Sequence, residues 1–378
     1  MRLLDKEKLN EKVTCRAEAD LAACRISASV LTVWQDGREV LTKGFGGADA
    51  HTVFRMASMT KPVTTVATMI AVERGLLSLD DPIEMYLPAF ANRRVAVRNA
   101  AGELIGDEPA HRKITIRHLL CHSSGHSYCD ALGARVAAMT DEEWRTLENA
   151  MAVFATLTLD FHPAESERYS GTIAWDILVT VLQLVTGEDF LSFITREILT
   201  PCGMVDTTFV PTDAQWARLI PMHDRVEEKN AVFPMKERCM FERVPCTHYL
   251  GGAGLCSTLS DYIRFALMLQ NGGEYNGYRI ISAASVAEMA TPQLSLEANP
   301  GSQPWGLGVR VIRGTEYETV YGRLPEGSFG WSGAYGTHFW VDPVNRITAV
   351  YMKNSKYDGG SGAITSAHFE EDVMASLI

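Results

Sequence analysis

Apolar side chains recur at Leu3, Leu4, Leu9, Val13, Ala17, Leu21 and Ala22 with charges between them, the three-to-four spacing of an amphipathic helix over residues 2–23. The period then shortens. The run RISASVLTVWQDGREVLTKGFG at 25–46 is two β-rich stretches around Asp36-Gly37, a dipeptide that favours a tight hairpin because glycine tolerates positive φ. After FRMASMTK at 54–61, the run PVTTVATMIAVERG puts Val63, Val66, Ala67 and Ile70 on one helical face and stops at Gly75, a C-cap residue. Proline is tolerated only in a helix's first turn, so Pro62 sets that helix's start close to Ser58.

From about 85 to 275 helical patterns dominate: IRHLLCHSSG, DEEWRTLENAMAVFATL, IAWDILVTVLQLVTG, DFLSFITREIL and LSDYIRFALMLQNGG. Strand signals return in GWSGAYGTHFWVDPVNRITAVYMKN, two β-rich runs around the turn Asp342-Pro343-Val344-Asn345, and the chain closes on the helix-like ITSAHFEEDVMASLI. Strands at both ends with helices between predict one mixed sheet assembled from the two termini, in an α/β protein of the α+β kind with helices flanking the sheet. Residues 1–84 and 275–378 would build the α/β domain, and 85–274 a mainly helical insert.

The balance of 46% apolar and 21% charged residues over 378 positions is that of a globular chain with a substantial core. A net charge of -11 and the lack of any Lys/Arg-rich segment argue against nucleic acid or an anionic membrane as partner. No run of about 18 uncharged apolar residues reads as a membrane span. Charges interrupt MRLLDKEKLNEK every few positions, so no signal peptide is read there and the expected location is the cytoplasm. Cys15, Cys24, Cys121, Cys129, Cys202, Cys239, Cys246 and Cys256 form no CxxC pair, which suits reduced thiols better than a disulfide framework.

The candidate chemistry sits at Ser58 and Lys61. A serine hydroxyl needs a base within hydrogen-bond reach to become a nucleophile, and residues three apart on a helix share a face. A lysine serves as that base only if burial or another cation lowers its pKa; otherwise it must act through a partner. Tyr169, in RYSG just before an apolar helix, is the natural partner, because a nearby ammonium eases ionisation of its phenol. His118, His122 and His126 recur at four-residue intervals, yet Ser123-Ser124-Gly125 breaks the helix between them and no HExxH is present, so structural histidines are expected and no metal. No G-x-S-x-G elbow offers an α/β-hydrolase nucleophile.

SMTK at 58–61, YSG at 169–171 and WSG at 331–333 occur in the order and rough spacing of the three motifs of serine hydrolases related to class C β-lactamases and penicillin-binding proteins. HLLCHSSG, GGAGLCST and YGTHFWVDP extend the likeness over almost the whole chain, which most resembles the family VIII carboxylesterases. The resemblance implies a β-lactamase/transpeptidase-like fold: a mainly antiparallel sheet with an inserted all-helical subdomain. It implies Ser58 as the acylated nucleophile and Lys61 and Tyr169 as the proton-handling pair, with the immediate base left open between them. Oxyanion donors would be the backbone N–H groups of Ser58 and Ala334, and substrate would meet Trp331, Ser332, Gly333 and Gly171. No cofactor is implied, and the partner is a small-molecule ester. Gly171 and Trp331 replace the asparagine and lysine that bind a lactam's amide and carboxylate, which favours ester hydrolysis over a lactamase, a D-amino-acid amide peptidase, an acyltransferase or a catalytically silent binding module. Trp331 reads equally as a packing residue or a substrate contact.

Overall fold

The computed structural model describes residues 2–127, 130–232, 248–295, 304–314, 324–360 and 362–378. Helix α1 (Lys6–Ala22) starts at Asp5, whose carboxylate accepts the Glu7 and Lys8 amides at 3.0 Å, supplying two of the partners that a helix start lacks. Strands β1 (Ser29–Gln35) and β2 (Arg38–Phe45) follow as the predicted hairpin. Asp36 and Gly37 both take positive φ, 49° and 72°, which matches the turn's twist to that of the strands. Short strand β3 (Val53–Arg55) leads to helix α2 (Thr60–Glu73). Helix α3 (Ile173–Thr186), strand β4 (Cys256–Thr258) and helix α4 (Leu259–Gln270) come from the middle of the chain. Strands β5 (Arg310–Val311), β6 (Phe329–Ser332), β7 (His338–Asp342), β8 (Ile347–Met352) and helix α5 (Ile364–Met374) complete it.

The main sheet runs β5-β6-β7-β8-β1-β2, antiparallel throughout, with β8 from the C-terminal part of the chain paired to β1 from the N-terminal part. Alternation along its strands serves two cores. Val30, Phe329, Trp331, Phe339, Val341, Val350 and Met352 join α2, α3 and α4 on one face. Leu31, Val33, Trp340, Ala349 and Tyr351 meet Leu9, Val13 and Ala17 of α1 and Phe369 and Val373 of α5 on the other. Helix α4 belongs to the first of these layers, although its sequence position lies within 85–274.

Helix α2 was expected to bury one face, but every residue from Thr60 to Ala71 is buried. Its threonines permit this. Thr65 and Thr68 hydroxyls donate to the carbonyls of Lys61 and Thr64 one turn back, and Thr64 donates to Gly251 at 2.7 Å, so these three hydroxyls are paired inside the core. The middle segment is helical in the main, yet the all-helical expectation needs correcting: it also carries β4 and two hairpins, Arg94–Arg98 with Leu104–Pro109 and His223–Val226 with Lys229–Val232. The strand Leu104–Pro109 is exposed at every position, so it shows no apolar alternation to read. Among the described residues no single helix is long and apolar enough to cross a membrane. Cys15, Cys24, Cys121 and Cys202 are free thiols, and Cys129, Cys239 and Cys246 lie outside the described residues.

Candidate active site

Antiparallel pairing of β3 with β4, Arg55 opposite Cys256, brings the end of β3 beside the GGAG segment and points the chain into the one-turn helix Ala57–Met59 ahead of α2. Ala57 holds a left-handed φ of 45°, a conformation that costs a non-glycine residue about 1–2 kcal/mol. Backbone strain of this kind clusters at active sites, and Ser58 is the next residue. The Ser58 amide lies in the first turn, where N–H groups lack intrahelical acceptors.

Ser58 Oγ receives the Tyr169 hydroxyl at 2.6 Å and lies 3.3 Å from Lys61 Nζ. Lys61 is fully buried. Its Nζ also donates to the carbonyls of Gly171 at 2.9 Å and Gly252 at 2.8 Å and lies 5.0 Å from the centre of the Tyr169 ring and 5.3 Å from that of Trp175. Burial drives its pKa well below the ordinary lysine value, against a smaller opposing pull from Asp176. The Tyr169 phenol is pushed the other way, up to about 12, local desolvation of its hydroxyl outweighing the neighbouring Ser58 hydroxyl and Trp331 indole, although 37% of the residue stays exposed.

Tyr169 is gripped from both sides by His122. The His122 carbonyl accepts the Arg168 amide and its Nδ1 accepts the Ser170 amide, each at 3.0 Å. Nδ1 is therefore an acceptor, the ring proton sits on Nε2, and burial holds the imidazole pKa well below its ordinary value. The other two histidines of the series take separate partners: His118 Nδ1 accepts the Thr115 amide at 3.1 Å and His126 Nδ1 meets Ser124 Oγ at 3.2 Å. On α3, Asp176 accepts the Gly251 amide at 3.2 Å and pairs with His248 at 3.1 Å, both fully buried. His248 Nδ1 faces the Trp144 carbonyl at 2.8 Å and so carries a proton. Burial pushes the Asp176 pKa up, and the Asp176 carboxylate, overcoming burial, raises that of His248. This pair sets the Gly251-Gly252 segment whose carbonyl reaches Lys61.

Strand β6 closes the site. Trp331 is on the Tyr169 side, with ring centres 5.4 Å from Tyr169 and 4.4 Å from Trp305, and its buried Nε1 makes no well-formed hydrogen bond, although it lies near enough to the Tyr169 phenol to favour its ionisation. Gly333 fits against the Met56 carbonyl, which a Cβ would approach to 2.3 Å. Its own amide is spent on Thr337 O at 2.7 Å, while no bond of the Ala334 amide occurs among the described residues. Ser332 corrects the expectation of a substrate contact. The strand's alternation turns it to the opposite face, where its hydroxyl meets His338 Nδ1 at 2.8 Å, and His338 Nε2 meets Glu370 of α5 at 2.9 Å. Gly171 likewise turns its carbonyl to Lys61. Sequence reasoning assigned no role to Gly252 or Asp176 and read His122 as a structural histidine; Gly252 and His122 lie in GGAGLCST and HLLCHSSG, stretches that carried the family likeness.

A hydroxyl between a depressed lysine and a protonated phenol, on an antiparallel sheet capped by a helical insert, defines a serine hydrolase of the class C β-lactamase and penicillin-binding-protein superfamily. The chain belongs to the beta-lactamase family, whose model matches residues 15–368. It is 34% identical to Protein Rv1367c of Mycobacterium tuberculosis over 86% of this chain and 85% of that protein. Esterase EstB of Burkholderia gladioli is 26% identical over 96% and 95% of the two chains, which sets this protein near the esterases of the superfamily. The solved structure of EstCE1, described as a hydrolase with promiscuous acyltransferase activity, superposes with a TM-score of 0.80 at 24% identity, covering 97% of this chain and 99% of that one.

Proposed function

We propose that this protein hydrolyses carboxylic esters through an acyl-enzyme on Ser58, with Lys61 in its neutral form as the immediate base. The observation that carries the reading is the set of partners around Lys61 Nζ. A neutral amine has two N–H bonds and one lone pair. The carbonyls of Gly171 and Gly252 take the two N–H bonds, which leaves the lone pair for the Ser58 proton 3.3 Å away. Tyr169 then donates to Ser58 Oγ, and every proton has one place. An ammonium paired with a Tyr169 phenolate would need Lys61 to ionise against complete burial and Tyr169 against the partial desolvation of its hydroxyl.

In acylation Ser58 Oγ attacks the ester carbonyl carbon as its proton passes to Lys61. The carbonyl oxygen, turning negative, meets the Ser58 and Ala334 amides, donors of a kind worth about 2.7–4 kcal/mol each in barrier height. Collapse of the tetrahedral intermediate breaks the ester C–O bond. The departing alkoxide takes the Tyr169 proton, and Lys61 refills Tyr169. Water repeats the sequence in reverse to free the acid.

The aromatic wall of Trp331 and Trp305 suits an apolar ester and offers no charge to a lactam carboxylate. A fluorophosphonate should label wild-type Ser58 and spare Ser58→Ala. Nitrophenyl butyrate should exceed a chromogenic cephalosporin in kcat/KM by tenfold or more. A folded wild type that resists labelling would sink the catalytic reading, and a cephalosporin value equal to or above the ester value would move the assignment to a lactamase.

A further inference from the structure

The turn after β6, Gly333 to Gly336, closes by its own bond from the Gly336 amide to the Gly333 carbonyl at 2.9 Å. A second donor nevertheless reaches that carbonyl, the Gly360 amide at 3.0 Å. The Gly333 carbonyl and the Ala334 N–H belong to one planar trans peptide and point in opposite directions. Two bonds on the carbonyl therefore fix where the Ala334 N–H points.

The segment 355–360 lies along the whole turn. The Ser355 amide donates to Tyr335 O at 2.9 Å, and Gly359 lies so close to Ala334 that a Cβ there would come within 2.0 Å of the Ala334 carbonyl oxygen. Asp358 holds the segment in place. It takes a left-handed φ of 52°, and its carboxylate accepts the Ile364 and Thr365 amides at 2.5 and 3.0 Å and the Thr365 hydroxyl at 2.7 Å at the start of α5. Its carbonyl and carboxylate also receive Lys353 Nζ at 2.7 and 3.2 Å. Lys353 is itself fully buried, and its methylene stem runs beneath Gly336, where a Cβ would strike it at 2.2 Å. One side chain thus braces the turn from below and the segment beside it.

We propose that Lys353, Asp358 and Gly359 are positioning residues for catalysis, forming a clamp that aims the Ala334 N–H at the oxyanion. Closing the turn alone would not require them, because the Gly336 bond already does so. The proposal rests on the reading of Ala334 as an oxyanion donor.

The test is Gly359→Ala, whose added methyl has to push the Ala334 carbonyl aside. The assay compares kcat/KM for nitrophenyl butyrate with that for its thiono counterpart, in which sulfur replaces the carbonyl oxygen. Sulfur accepts hydrogen bonds poorly, so a misaimed donor harms the oxygen ester selectively. Loss of one donor corresponds to a fall of about 10²–10³ in the oxygen-ester rate, with the thionoester rate within about threefold of wild type. Parallel losses on both esters, or no loss in a folded variant, overturn the clamp. Should Gly359→Ala fail to fold, Asp358→Asn keeps the side chain's shape while weakening its hold on Lys353. It should lower the oxygen-to-sulfur rate ratio in the same direction, and an unchanged ratio overturns the proposal. Wild-type labelling at Ser58 and turnover of the oxygen ester test the ester-hydrolase reading separately, because neither depends on how the variants behave.

Discussion

Gly252→Ala tests whether the carbonyl grip on Lys61 sets the base. A Cβ at this position would lie 2.5 Å from the Gly171 carbonyl oxygen, 3.0 Å from Lys61 Nζ and 3.1 Å from the Trp175 Cβ. Ordinary contacts to carbon begin near 3.4 Å, so the backbone oxygen has to retreat by almost 1 Å and cannot do so as a flexible side-chain tip would. That oxygen is one of the two acceptors that orient Lys61, and the other belongs to residue 252 itself. A displacement of about 1 Å in a catalytic group costs about 10²-fold in rate. Overpacking of this kind also costs about 1–3 kcal/mol of stability, so thermal melts have to accompany the kinetics. The expected outcome is a folded protein whose kcat for nitrophenyl butyrate falls about a hundredfold, with KM changed much less because the methyl does not face the acyl group. The reasoning fails if the folded variant keeps kcat within threefold of wild type, since Lys61 would then need neither carbonyl to act.

The pH profile of kcat/KM should rise as Lys61 loses its proton, with a midpoint below the ordinary lysine value of 10.5, and fall only as Tyr169 ionises near about 12; a rising limb centred at or above 10.5 contradicts a neutral-lysine base. Lys61→Arg should lose all measurable turnover, because a guanidinium stays charged at any working pH. Trp331→Phe keeps an aromatic wall and removes the unpartnered N–H, and should lower kcat/KM about tenfold if that donor reaches substrate or Tyr169, the worth of roughly one hydrogen bond; a change under twofold assigns Trp331 to packing. Ser332→Ala should leave KM within twofold while lowering stability by about 1–3 kcal/mol, since the buried His338 Nδ1 loses its partner; a raised KM with an unchanged melt would put Ser332 back on the substrate side.

The sheet was legible because its central strands, buried on both faces, are continuous runs rich in β-branched and aromatic residues, and because Asp36-Gly37 has little choice but to turn. The hairpin at 94–109 escaped because its second strand is solvated at every position and carries no such pattern. Helix α2 was read at the right place with the wrong surroundings: threonines count as polar in a periodicity, but each of Thr64, Thr65 and Thr68 finds a carbonyl acceptor and can be buried all round. Ser332 was misplaced for a related reason, since a motif quoted as WSG hides that neighbours along a strand face opposite ways.

At the site, the three side chains proposed to handle protons could be found from their types and order, whereas the groups around them could not. Lys61 is held by two carbonyls, and any residue has a carbonyl; only the need for glycine at 252, where a Cβ meets Lys61, leaves a trace in the sequence. The same holds for the oxyanion side, where the Gly333 carbonyl and the Gly360 amide do the orienting and the visible trace is the run Asp358-Gly359-Gly360. Asp176 is the exception that explains the rule. Its charge lies within an apolar helix pattern, IAWDILV, where a carboxylate has no solvent and has to be matched by the buried His248 and the Gly251 amide. A charged residue inside an otherwise apolar helical face therefore carried information that the periodicity discarded, and it pointed to the segment that holds Lys61.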